Sequence, residues 1–144
     1  MTESYDLINL KDLKNLFDSK TAMHDEVMTH IDIIGSEIII EYGNIGENEF
    51  WKPYKKAVVA YVIDDGCGYS LRVFKLSRTG TKDDYCTDNP EKVKALNDWN
   101  MEMFKFDFDI FGEMTLHFDI SKGRKHRYAE LSFTPVAINY SFEE

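Results

Sequence analysis

Residues 106–120 read FDFDIFGEMTLHFDI, and on either side of the glycine the apolar side chains fall on every second position. That period belongs to a strand with one buried face, because successive side chains of an extended chain point to opposite sides. The pattern recurs along the chain. Val27, Thr29, Ile31 and Ile33 alternate with Met28, His30 and Asp32, and after Gly35-Ser36 the series resumes with Ile38, Ile40 and Tyr42. A two-residue Gly-Ser loop suits a tight hairpin with positive φ at its first position. It pairs Ile33 with Ile38, Ile31 with Ile40 and, on the other face, His30 with Glu41. AVVAYVI at 57–63 and YSLRVFKL at 69–76 read as a second hairpin, closed by residues 64–68. RYAELSF at 127–133 and VAINYSF at 136–142 flank Thr134-Pro135. Two residues with a proline make a poor tight turn, which favours one run of strand bent at an edge or bulge.

Two segments carry a helical period instead. Leu10, Leu13, Leu16 and Phe17 line one stripe of residues 9–18, with Asn9 and Asp12 spaced as a capping pair. Asn89-Pro90-Glu91 opens a helix over 90–100 whose buried stripe is Val93, Leu96 and Trp99. Residues 43–54 and 77–89 are polar, rich in turn formers, and read as loops. The expected fold is α+β: a mostly antiparallel sheet of about seven or eight strands, as a sandwich or partly closed barrel, with two short helices. At 144 residues the chain has the size of one domain, 1–144, and its 43% hydrophobic and 14% aromatic content excludes a disordered polymer.

Formal net charge is −9, from 26 acidic and 17 basic residues. That balance argues against a general nucleic-acid or anionic-membrane binder, which needs a basic footprint, and it attracts a basic partner. No apolar run approaches the ~18 residues of a membrane span, and MTESYDLINLKDLK lacks the basic start and apolar stretch of a signal peptide. A cytoplasmic protein is expected. Cys67 and Cys86 have neither CxxC spacing nor a second pair, so reduced thiols are expected, with no zinc and no other cofactor.

The row that comes closest to chemistry is Asp107, Asp109, His117 and Asp119. A hairpin loop of Phe111-Gly112-Glu113 sets Asp107 opposite His117 and Lys105 opposite Asp119; a loop of Ile110-Phe111-Gly112 puts glycine at the left-handed position and moves His117 opposite Lys105. Charge pairing favours the first register and turn chemistry the second. Both bury the phenylalanines, and in both the polar row is accounted for as the solvent side of an antiparallel pair. One histidine with several carboxylates falls short of a metal site unless His24, His30 or His126 converges on it. Asp107, His117 and Asp119 are nonetheless the candidate polar contact residues. Gly66-Cys67-Gly68 is a tight turn and no phosphate loop, and nothing near Cys67 lowers its pKa. Lys122-Gly123-Arg124-Lys125-His126-Arg127 is a basic turn, read as solvated or as a partner for the acidic faces. Phe50, Trp51 and Tyr54 sit among polar loop residues, either as interface anchors or folded inward to close one end of the sheet.

AMHDEVMTHIDIIGSEIIIEY, residues 22–42, resembles the opening of small bacterial domains of unknown function, some of them immunity proteins of polymorphic toxin systems, where a His-Asp enters a first strand before a tight turn. The resemblance implies a non-catalytic cytosolic protein that binds and blocks a partner such as a toxin enzyme. The acidic charge agrees, since opposite fields speed association. The leading expectation is therefore a protein-binding module for a basic partner, and not an enzyme. The alternative is a β-rich small-molecule binder with an apolar cavity, followed by a hydrolase using Asp107, His117 and Asp119.

Overall fold

The computed structural model of the chain describes residues 2–6, 27–43, 45, 54–64 and 68–144. Among them ten strands build one antiparallel sheet: β1 (Thr2–Asp6), β2 (Val27–Ile34), β3 (Glu37–Gly43), β4 (Lys56–Ile63), β5 (Tyr69–Ser77), β6 (Gly80–Thr87), β7 (Asn100–Phe108), β8 (Met114–Lys122), β9 (Lys125–Phe133) and β10 (Pro135–Glu143). One α-helix is described, α1 (Pro90–Lys94), which runs into a 3-10 turn at Ala95–Asp98. The spatial order is β1-β10-β4-β3-β2-β7-β8-β9-β5-β6.

At its middle the sheet is barely continuous. β2 pairs with β3 along almost its whole length, but with β7 only through Val27 and Met28, opposite Glu102 and Met101. Further along β2 the free backbone edge is bonded by a side chain. Asn97 accepts from the Ile31 N–H at 2.8 Å and donates to the Ile31 carbonyl at 2.8 Å, so one amide does the work of a neighbouring strand. This divergence lets the two halves fold over each other. Tyr61 of β4 meets Phe133 of β9 edge-on at 5.1 Å, and the Tyr42 hydroxyl of β3 lies 3.0 Å from the sulfur of Met103 on β7. One hydrophobic core runs between the halves, with Ile31, Ile40, Val59, Leu71, Leu116, Phe118, Leu131 and Ile138 almost wholly buried. Each such side chain contributes about 1.5–3 kcal/mol by leaving water.

The Gly35-Ser36 hairpin forms in the expected register, with Ile33 opposite Ile38, Ile31 opposite Ile40, His30 opposite Glu41 and Gly35 at φ +60°. Asn89 caps α1, its side chain accepting from the Glu91 N–H at 2.9 Å with Pro90 in the first turn, and Val93 and Leu96 are buried. Helical structure stops at Asp98, before the expected end at 100, and β7 begins at Asn100. The run 127–142 bends at Thr134 without folding back on itself: β9 pairs with β8 and β5, β10 with β1 and β4.

Three expectations are corrected. β4 and β5 do not form a hairpin, because β4 is flanked by β3 and β10 and the chain crosses to the other half before β5. Residues 77–89 are no loop. Gly80–Thr87 is an edge strand, exposed along its length, whose polar sequence reflects the edge position. Its charges are spent locally: Arg72 pairs with Asp83 at 3.1 Å, while Lys75 at 3.8 Å and Arg127 at 3.2 Å both reach Asp84. With β1, which hydrogen-bonds along β10, these raise the strand count from seven or eight to ten. The helix expected at 9–18 lies outside the described residues.

Candidate functional site

The outward face of β7, β8 and β9 carries the polar row singled out above, and β7 decides its geometry. Near the turn Phe108 pairs with Met114, Phe106 with Leu116 and Lys105 with His117, which is the register demanded by turn chemistry. Gly112 adopts φ +86°, and Asp109 organises the loop: its Oδ1 accepts from the N–H of Phe111 at 2.8 Å and of Glu113 at 2.9 Å. The Asp109 N–H donates to the Glu113 carbonyl at 2.9 Å, and the Gly112 N–H to the Asp109 carbonyl at 3.2 Å. Asp109 is therefore a turn residue.

Between Met103 and Lys105 the register slips by one residue. Phe104 is the extra residue of this bulge, and its ring turns to the outer face, 5.9 Å from His117 and 5.5 Å from Tyr128. Phe74 of β5 adds a further ring 5.6 Å from Tyr128. Under this cover His117 is buried, 7% exposed, on a face otherwise open to water.

Both of its nitrogens are occupied. Nε2 donates to the Asp107 carboxylate at 2.7 Å, and Nδ1 is hydrogen-bonded to the Tyr128 hydroxyl, which reaches Glu130 at 3.1 Å. Lys105 lies 3.7 Å from Asp107. Burial, then the hydrogen bond and charge of Glu130, then the charges of Asp107 and Asp119, push the Tyr128 hydroxyl well above its ordinary value of 10. As built, the cluster braces three strands together.

Asp107 and His117 are thus brought together, although they are diagonal neighbours and not opposite one another. Asp119 is not part of their hydrogen bonding. It is exposed and faces Glu102 on β7 and Tyr128 on β9. Two acidic residues occupy directly opposite positions of adjacent strands, an unfavourable cross-strand pair, and neither has an ion-pair partner among the described residues. They border an open groove of about 250 Å³ lined also by Val27, Met101, Ser121 and His126, where β2 parts from β7.

Of the aromatic candidates, Tyr54 is half-buried and packs 5.2 Å from Phe142, closing an edge of the core. Phe50, Trp51, His24, Asp25 and Cys67 lie outside the described residues. Arg124 and Lys125 form part of the exposed β8–β9 turn, and Arg127 is committed to Asp84. Among the described residues no group of three or more His, Cys, Asp or Glu side chains is placed to hold a metal.

Sequence reasoning missed five contributors. Tyr128 and Glu130 were legible only as alternate positions of one strand, and Glu102 was hidden by the bulge. Ile110 and Phe111, at the tip of the β7–β8 hairpin, are 83% and 84% exposed. Their signal was present, since two large apolar residues occupied turn positions that ask for small polar ones. No described helix is long and apolar enough to cross a membrane. Comparison of the chain with protein-family models, with curated proteins and with solved structures finds no match.

Proposed function

We propose that the chain is a non-catalytic, cytoplasmic protein-binding module, immunity-like in its action, whose partner is a basic protein such as a toxin enzyme. The observation that carries this reading is the Glu102–Asp119 pair. The fold gains nothing from two like charges set opposite each other on adjacent strands, and a lysine or arginine from outside would relieve them. The pair lies beside an open groove on a sheet face, in a chain of net charge −9, where a basic surface is drawn in from a distance. Asp119 is then the contact residue of the original three, and Asp107 with His117 holds the strand that presents Glu102.

The test is affinity capture by the whole chain, followed by binding of the purified basic protein at rising salt. Association that slows with salt, and an E102Q/D119N variant that binds about 10-fold or more weakly with a flatter salt dependence, would support the reading. Equal binding by the variant, or recovery of no basic protein, would sink it.

A further inference from the structure

We propose that Ile110 and Phe111 form a preorganised apolar plug that enters a cleft on the basic partner, a cleft rimmed by lysine or arginine. This rests on the protein-binding reading and names the contact that would make it an obstruction.

Both side chains stand more than four-fifths exposed at the end of one hairpin, where neither touches the core nor supports the turn. The turn is held without either side chain. Asp109 accepts two backbone donors and Gly112 supplies the positive φ, so positions 110 and 111 are free of any local structural requirement. A β-branched aliphatic and a phenylalanine there expose apolar area that water penalises, and scattered single exposure does not describe two adjacent residues. The loop is also rigid in the way that favours binding. Four hydrogen bonds span residues 109–113, so little conformational freedom remains to be lost on docking.

Charge fits the same occupant. Glu113 is exposed, with no ion-pair partner among the described residues, and the exposed Asp109 carboxylate, which accepts only from backbone N–H groups, lies at the foot of the tip. An apolar anchor with carboxylates at its base matches an apolar cleft with a basic rim, the kind of opening through which an enzyme acting on an anionic substrate would admit it.

A photo-cross-linking residue placed at 111, with Val136 as an exposed apolar control on the other half, tests the contact in cells that express the chain naturally. Cross-linking of a basic protein at 111 and not at 136 is expected. The purified partner should then bind the I110S/F111S variant about 100-fold or more weakly, as for two anchor residues, at unchanged melting temperature. D109A, which keeps both side chains and loosens the loop, should weaken binding by a smaller factor. If the basic protein binds I110S/F111S as tightly as the original chain, or cross-links equally at 136, the plug is overturned and the protein-binding reading stands. If no basic protein is recovered by any variant, both fall together.

Discussion

Two polar groups share one face of the sheet and differ in a way that separates structure from surface. Around His117 every polar atom is answered: Asp107 and Tyr128 take the ring nitrogens, Glu130 takes the tyrosine, and Phe104 and Phe74 shield them. One pair further along β8, Asp119 meets Glu102, charge against like charge, open to solvent. Both groups have the same origin in alternating Asp and His residues. A satisfied cluster in partial burial rigidifies the strands that supply it, whereas an unsatisfied one is available to something else.

Substitutions can break this contrast, beginning on the opposite side of the same strand. Phe118→Ala removes a wholly buried ring between His117 and Asp119 and should cost about 3–5 kcal/mol in denaturant unfolding. A loss under about 1 kcal/mol would mean that the inner face is not packed as described. His117→Ala should cost less, about 1–3 kcal/mol, because it takes from the Tyr128 hydroxyl one of its two partners, leaving Glu130, and frees Asp107 to water. If it proved neutral, the cluster would not be a brace, and the outer face would be uniform after all.

Asp119→Asn should have the reverse sign. Relief of the Glu102 repulsion stabilises the isolated protein by about 0.2–1 kcal/mol, and the gain shrinks as salt is added. Destabilisation at low salt would show that the carboxylate already has a partner. The smallest effect appears only in alkali. The Tyr128 hydroxyl ionises in the unfolded chain near its ordinary value of 10 and higher in the folded one. Its contribution to stability is thus complete below pH 10 and is lost as pH rises through the folded value. Tyr128→Phe should flatten that alkaline decline, as read from melting temperature against pH. An unchanged slope would assign the decline to other groups.

How much was legible is clearest on β7. The apolar positions Met101 and Met103 are odd, whereas Phe106 and Phe108 are even, so a slip of phase stands in the sequence between them. The slip announces a bulge but allows either Met103 or Phe104 to face inward. Packing against Phe118 chose Met103, sent Phe104 out over His117, and thereby set Glu102 opposite Asp119. Neither expected register contained that pair, because a hairpin drawn without a bulge keeps one offset throughout. The edge strand β6 was illegible for another reason: with no buried face, GTKDDYCT carries no alternation to read.

By itself the sequence determined what is local. Period-two alternation specified eight of the ten strands, Gly35-Ser36 specified a turn with its register, and Asn89-Pro90 specified where a helix begins, because each depends on backbone preferences and neighbours a few residues away. The tertiary structure alone decided which strands lie side by side. β4 chose β10 over β5, and one asparagine replaced a missing strand along β2. Alternation says that a face must be buried and is silent about what buries it. That choice belongs to the fold as a whole, through contacts between residues far apart in the chain.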